Sequence, residues 1–224
     1  STKNKLYQVS FEEAVFKSLP PDNSLFYPNA LPKLEAYWLE NLKGMSKTEI
    51  GVKVASQFIE DEIPADRLEK IIEETIDFDI PLKKVSNQIA ALELFHGPTW
   101  AFKDVGARFL SRCMAYFIEQ SNREITILVA TSGDTGGAVA AGFFGIPGIQ
   151  VKILYPKGKV SEIQRKQLTT WGGNITAYEV AGTFDDCQRL VKQSFLDDDL
   201  NKAMSLSSAN SINIARLIPQ SFYY

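Results

Sequence analysis

Ile125-Thr126-Ile127-Leu128-Val129-Ala130 runs directly into Thr131-Ser132-Gly133-Asp134-Thr135-Gly136-Gly137. The first six residues are a short, continuous apolar run rich in β-branched side chains, the pattern of a strand buried on both faces. The glycines that follow permit a tight turn, and residues 136–144 are small and apolar, which suits a helix packed closely on a sheet. Downstream the alternation continues, with strands predicted over 151–155 and 175–180 and helices over 162–171 and 184–195. In the last of these Asp185 and Asp186 lie near the start and Lys192 near the end, as the helix dipole prefers. A fourth strand is expected at 204–206 and a further helix from about Asn213. Alternating strands and helices imply right-handed crossovers and a mostly parallel sheet, so the fold class is α/β.

Upstream the character differs. Ser10-Phe11-Glu12-Glu13 has capping-box spacing ahead of an apolar segment over 15–19, and Pro20-Pro21-Asp22-Asn23 ends it. Residues 34–42 form a second amphipathic stretch. Ser46-Lys47-Thr48-Glu49 is another capping box, leading into Ile50, Val54, Ala55 and Phe58 at helical spacing. Pro64 stands where a first-turn proline would, before Leu68, Ile71, Ile72 and Ile76. We therefore divide the chain into a mostly helical region, 1–85, and an α/β domain, 86–224.

Composition narrows the function classes. The 224 residues carry a net charge of −3, which gives no basic face for nucleic acid. No apolar run approaches the roughly 18 residues that span a bilayer, and the polar start Ser1-Thr2-Lys3-Asn4-Lys5 is no signal peptide. Two cysteines, Cys113 and Cys187, are too few for a disulfide scaffold and lack metal-ligand spacing, so a reducing cytoplasm and no metal are expected. With His96 as the one histidine, a histidine-based metal site or a Ser-His-Asp triad would rest on it alone. The chain ends on Ser221-Phe222-Tyr223-Tyr224 without a glycine cap or charged tail, which leads us to expect an end inside a helix.

Three segments could carry chemistry. Thr131 to Gly137 follows a strand and opens a helix, so its backbone N–H groups make an anion site at the carboxyl end of a parallel strand. It lacks the Gly-Lys-Ser/Thr of a nucleotide phosphate loop, and Asp134 would repel a dianion there. A carboxylate on the N–H groups, with Asp134 accepting from a hydroxyl, suits it; so does a plain βα turn with Asp134 as a local cap. In Gly97-Pro98-Thr99-Trp100-Ala101-Phe102-Lys103-Asp104 a lysine sits among apolar and aromatic neighbours. Such a lysine loses proton affinity and becomes an amine nucleophile, although a lysine at a helix start with its head in water has the same pattern. Ser207-Ser208-Ala209-Asn210-Ser211-Ile212-Asn213 crowds short polar side chains at a strand-to-helix junction, with Arg216 one turn on. That arrangement suits a dianionic phosphate, or an ordinary N-cap cluster.

Taken together, these segments resemble the threonine synthases, in the longer form found in bacteria and fungi. The run Leu92-Glu93-Leu94-Phe95-His96-Gly97-Pro98-Thr99, then Ala101-Phe102-Lys103-Asp104, is similar to that family's lysine motif almost residue for residue; Trp100 departs from it, where a smaller aliphatic residue is expected. Ser132-Gly133-Asp134 resembles the loop that reads Asn at the third position in other enzymes of the tryptophan synthase β-like group. Ser208 to Asn213 with Arg216, Asp61-Glu62-Ile63-Pro64 and Leu25-Phe26-Tyr27-Pro28 match too. The resemblance implies three-layer parallel-sheet domains and a pyridoxal 5'-phosphate cofactor. It also implies conversion of O-phosphohomoserine and water to threonine and phosphate, a lyase reaction of amino-acid biosynthesis. On that basis Lys103 is the Schiff-base and catalytic lysine, and Asp134 lies near the cofactor ring hydroxyl. Ser132, Gly133 and Thr135 hold the substrate, with Ser211 and Arg216 at its phosphate. The family's later glycine- and asparagine-rich loop for the cofactor phosphate has no counterpart here, so the C-terminal part of the large domain is expected to be missing. A threonine dehydratase or sulfhydrylase of the same fold has no substrate phosphate for Ser211 and Arg216 to bind. A non-catalytic fragment and a nucleotide-binding domain are the other readings.

Overall fold

The computed structural model describes residues 1–223. The amino-terminal region contributes four helices, α1 (Phe11–Lys17), α2 (Ala36–Asn41), α3 (Lys47–Ile59) and α4 (Ala65–Thr75). Their start signals work unequally. At α3 the capping box closes in both directions: Ser46 Oγ accepts from the Glu49 N–H at 3.1 Å, and the Ser46 N–H donates to Glu49 Oε2 at 2.6 Å. At α1 only half of it forms. Ser10 Oγ accepts from the Glu13 N–H, but Glu13 pairs with Lys17 instead. The orphan N–H groups of Phe11 and Glu12 donate to the carboxylate of Glu62, fifty residues away in sequence, at 2.6 and 2.8 Å. A distant carboxylate thus replaces a local one at a helix N-terminus. Pro64 is the N-cap of α4 and precedes its first turn by one position. The amphipathic stretch 34–42 yields α2, none of whose residues is buried.

A small antiparallel hairpin follows, β1 (Leu82–Lys84) with β2 (Ala90–Leu92). Then comes the longest helix, α5 (Lys103–Ser121), 19 residues long. The sequence reading leaves that helix unassigned, apart from the alternative that places Lys103 at a helix start. Its buried Val105, Phe109, Leu110, Cys113, Met114, Phe117 and Ile118 fall on helical spacing, and that signal could have found it.

The α/β part has the expected architecture. Strands β3 (Ile125–Ala130), β4 (Ile149–Pro156), β5 (Ile175–Val180) and β6 (Leu206–Ser207) form one parallel sheet in the order β5-β4-β3-β6. The connecting helices are α6 (Asp134–Phe143), α7 (Glu162–Thr169), α8 (Phe184–Leu196), α9 (Asp198–Met204) and α10 (Ile214–Leu217). All six residues of β3 are buried, as a central strand covered on both faces requires. Its Ile127 and Val129 face the main core, whereas Leu128 and Ala130 join Cys187 and Val191 of α8 in a second cluster. The sheet is therefore the middle of three layers. The fourth strand starts later than expected, because Met204 closes α9 and Ser205 takes a left-handed turn (φ 46°) before β6 begins. Helix α9, which the sequence reading misses, has a cap signal: Asp197 accepts from the Leu200 N–H.

The helical region and the sheet share one core. Phe11, Val15, Ile59 and Ile72 lie in the same buried cluster as Val105, Phe109, Ile127 and Ile153. The apolar carboxyl end forms a short 3-10 helix, Ile218–Phe222, with Phe222 edge-on to Phe109 at 5.7 Å. Tyr224, the last residue of that stretch, lies outside the described residues. No described helix is long and apolar enough to cross a membrane.

Candidate active site

The loop after β3 is folded by its own first side chain. Thr131 Oγ1 accepts from the N–H groups of Gly133 (3.0 Å) and Gly136 (2.8 Å). Gly133 adopts φ 139°, a conformation that side chains rarely tolerate, and a Cβ there would lie 2.4 Å from the Gln164 side chain. The Ser132, Asp134 and Thr135 N–H groups have no hydrogen-bond partner among the described residues. Asp134 is the first residue of α6, so these donors sit at the positive end of a ten-residue helix. Ser132 and Asp134 are exposed and Thr135 is half-buried. The Gly133 N–H is used internally; among the expected contacts it shapes the turn.

Lys103 begins α5, and a buried carboxylate fixes the turn before it. Asp104 is 1% exposed and accepts from the Thr99 N–H (2.9 Å) and the Thr99 hydroxyl (2.5 Å). Burial pushes the Asp104 carboxyl above its usual range, and the Thr99 hydrogen bonds oppose that. Gly97 makes the close approach possible, since a Cβ there would meet Asp104 Oδ2 at 2.6 Å. Trp100, the residue that departs from the family pattern, takes φ 59° and stands 72% exposed. It lines an open depression with Phe95 and His96. His96 is stacked on Phe95, and its Nε2 lies 2.7 Å from Glu93 Oε2.

The two segments meet. Lys103 Nζ lies 3.7 Å from Asp134 Oδ2 and 4.5 Å from the centre of the Phe102 ring. The lysine side chain is one-quarter exposed, so its amine stands at an opening with a carboxylate and an aromatic face beside it.

The Ser-Asn-Ser segment is arranged differently. Asn213 is the N-cap of α10, accepting from the Ala215 N–H at 3.1 Å. Its amide donates to the carbonyl oxygens of Val15 and Ser208 and to Ser18 Oγ. The Ser208 N–H also donates to Ser18 Oγ. Most of the segment's polar groups thus tie it to the end of α1. Arg216 is 5% exposed and donates through Nη1 to the Ala209 carbonyl at 2.6 Å. Its buried Nε has no partner among the described residues. It crosses α5 one turn after Lys103, against Gly106, where a Cβ would stand 2.9 Å from that Nε. Burial depresses the guanidinium to about 10, with Tyr223 and Asp104 pulling the other way. Ser211 is exposed. No hydrogen bond or ion pair joins Ser211 to Arg216, or either of them to the loop 132–135, among the described residues. Sequence reasoning missed Thr99, Thr131 and Gln164. Gln164 had one visible signal, its capping-box spacing from Ser161.

Residues 80–217 match the family model described as pyridoxal-phosphate dependent enzyme, and residues 1–76 match that of the threonine synthase N terminus. The chain belongs to the pyridoxal-phosphate dependent enzymes. Among relatives of this family, it is 45% identical over 217 residues to the threonine synthase of Escherichia coli strain K12, covering 97% of this chain and 50% of that protein. It is 48% identical over 223 residues to the threonine synthase of Buchnera aphidicola subsp. Baizongia pistaciae, covering 99% and 52%. Its structure superposes on that of the E. coli threonine synthase with a TM-score of 0.90 at 44% identity, covering 96% of this chain and 50% of the other. The PLP-bound threonine synthase of Brucella melitensis superposes equally well, at 0.90 and 40% identity, over 96% and 48%. The chain spans about half the length of the relatives it matches.

Pyridoxal phosphate is the cofactor of this family. The residues present fit its aldehyde end: a partly shielded amine beside an exposed carboxylate that can face a ring hydroxyl. Among the described residues no group of three His, Cys, Asp or Glu side chains could hold a metal.

Proposed function

We propose that the polypeptide carrying this chain is a threonine synthase, converting O-phosphohomoserine and water to threonine and inorganic phosphate. The approach of Lys103 Nζ to Asp134 at 3.7 Å, at the carboxyl end of β3, carries this reading. It brings the lysine motif and the Ser-Gly-Asp loop to one place. Pyridoxal phosphate, when bound, supplies an aldehyde for the lysine amine and an electron sink. Lys103 would hold it, and its amine is the group placed to move protons at the substrate Cα and Cβ. The free N–H groups of Ser132 and Thr135 hold the substrate carboxylate at the α6 N-terminus, and Gly133 supplies the turn that aims them. Asp134 would face the cofactor ring hydroxyl. In the net reaction the Cγ–O bond breaks to release phosphate, Cβ loses a proton and Cγ gains one, and water gives its hydroxyl to Cβ and its remaining proton to the phosphate.

Arg216 favours a phosphorylated substrate over that of a dehydratase or sulfhydrylase. A buried guanidinium whose Nε has no hydrogen-bond partner among the described residues keeps a donor to spare, and a dianion would accept from it. Arg216, Ser211 and the Thr135 hydroxyl are the groups we assign to that phosphate. The region 1–85 buttresses the site through Ser18 and the shared core, and 86–224 carries the chemistry. Both thiols are free and buried, in keeping with a cytoplasmic protein.

The test is borohydride reduction with pyridoxal phosphate followed by peptide mapping. A single adduct on Lys103 is expected; adducts scattered over surface lysines would overturn the assignment. Phosphate release from O-phosphohomoserine by the longer polypeptide distinguishes the synthase, whereas ammonia release from threonine would point to a dehydratase.

A further inference from the structure

Helix α7 belongs to none of the segments that carry the chemistry, yet it touches two of them. Gln164 Nε2 donates to Asp134 Oδ1 at 2.8 Å, while its Oε1 accepts from the Ser161 N–H at 3.0 Å. The same side chain lies over Gly133 so closely that a Cβ there would stand 2.4 Å away. One turn later, Gln167 Nε2 donates to the Thr99 carbonyl at 3.3 Å, in the turn that leads to Lys103. Leu168 closes the contact from below, and a Cβ on Gly136 would meet it at 2.6 Å.

Asp134 is an exposed carboxylate with two oxygens in different company. Oδ1 takes the Gln164 amide and Oδ2 faces Lys103 Nζ. An exposed aspartate without the amide is free to rotate into water, and an exposed ion pair alone is too weak to hold it. We propose that Gln164 is a positioning residue: its amide pins Asp134 Oδ1 and so sets the distance of Oδ2 from the Lys103 amine. Its own backbone anchor makes this a rigid device, because Oε1 is held by the capping box at the start of α7. This rests on Lys103 and Asp134 forming one site, but it needs no cofactor to be tested.

Gln164→Glu separates positioning from folding. Glutamate serves a capping box as well as glutamine does, so the anchor to Ser161 survives. The donor to Asp134 is replaced by a second carboxylate. The added negative charge should hold Lys103 protonated to higher pH. Competitive acetylation with acetic anhydride, read peptide by peptide across a pH series, should show the Lys103 midpoint rising by about one unit. Lys152 and Lys157 serve as internal references. Gln164→Met keeps the volume and adds no charge; Asp134 then swings away and the midpoint should fall. Opposite shifts from two substitutions at one position are not the signature of a loosened fold, which would move both the same way. In the double variant Asp134→Asn with Gln164→Glu, the amide and carboxylate exchange places and the midpoint should return toward the unsubstituted value. An unchanged Lys103 midpoint in Gln164→Glu, or shifts of the same sign in both single variants, would overturn the proposal. If Gln164→Glu does not fold, Gln164→Met decides alone, an unmoved or raised midpoint counting against it. Failure of pyridoxal phosphate to label Lys103 in the unsubstituted chain would sink the functional reading and leave this result standing.

Discussion

The loops after β3 and β6 look alike in sequence and are used in opposite ways. Each places short polar residues between a parallel strand and a helix N-terminus. In the first, one threonine hydroxyl satisfies the turn and leaves three N–H groups without a partner among the described residues. In the second, Asn213 and Ser208 are committed to the end of α1, and the buried Arg216 Nε has no partner among the described residues. A polar strand-to-helix junction is therefore not by itself a binding site. What matters is whether its donors already have partners in the fold.

The sharpest way to break this contrast is Asn213→Ala. It removes a helix cap and the buried amide that donates to the Val15 carbonyl, while the Ser208 carbonyl keeps only the Ser18 hydroxyl as donor among the described residues. Unfolding by denaturant should show a loss of about 3 kcal/mol, well above that of an exposed cap alone. Gly133→Ala strikes the other loop. It forces a side chain into φ 139° and against Gln164, and should cost about 2 kcal/mol. If the two values came out in the reverse order, the second loop would not be the structural one.

Arg216→Met sharpens the comparison from the ligand side. Replacing a buried charge whose Nε has no partner among the described residues with an apolar side chain of similar length should leave the chain as stable or about 1 kcal/mol more stable. The unsubstituted chain should gain about 1.4 kcal/mol from inorganic phosphate at ten times its dissociation constant. Thermal melting with and without phosphate checks both, and a phosphate response that survives Arg216→Met would remove Arg216 from the site.

The smallest effect is a pH dependence outside both loops. Asp186 closes the capping box of α8, and hydrogen bonds from Thr183 and Arg189 hold its carboxyl at about 2, below the ordinary 3.8. A depressed carboxyl adds stability above its unfolded value and loses it as pH falls through the folded one. Asp186→Asn should therefore lower stability slightly at neutral pH and leave it unchanged below about pH 2. A difference that persisted undiminished in acid would mean that packing, not charge, carries the contribution.

Much of this was legible in one sequence. The apolar run at β3 could be read because a strand buried on both faces has no polar side to hide its pattern. The lysine motif and the Ser-Gly-Asp loop stood out because both depend on local order of residues: a chain-breaking Gly-Pro, a glycine at positive φ, a lysine between aromatics. The capping box at Ser46 held for the same reason. Its twin at Ser10 closed only halfway, because Glu13 pairs with Lys17 while Glu62 takes the neighbouring Phe11 and Glu12 N–H groups. Likewise α9 displaced the start of the fourth strand, since an acidic cap at Asp197 competes for residues that strand propensity also claims.

The sequence by itself determined the α/β class, the parallel sheet and the residues able to do chemistry, because strand pattern, turn glycines and side-chain identity are properties of neighbours along the chain. Only the tertiary structure decided which of those residues meet. It set Lys103 3.7 Å from Asp134, bent Gln164 onto the same carboxylate, and buried Arg216 against Gly106 without a partner for its Nε among the described residues. Those outcomes depend on where α5, α7 and α10 come to rest on the sheet. Packing of apolar faces sets that geometry, and hydrogen bonds are then made or left open by what the packing brings within reach.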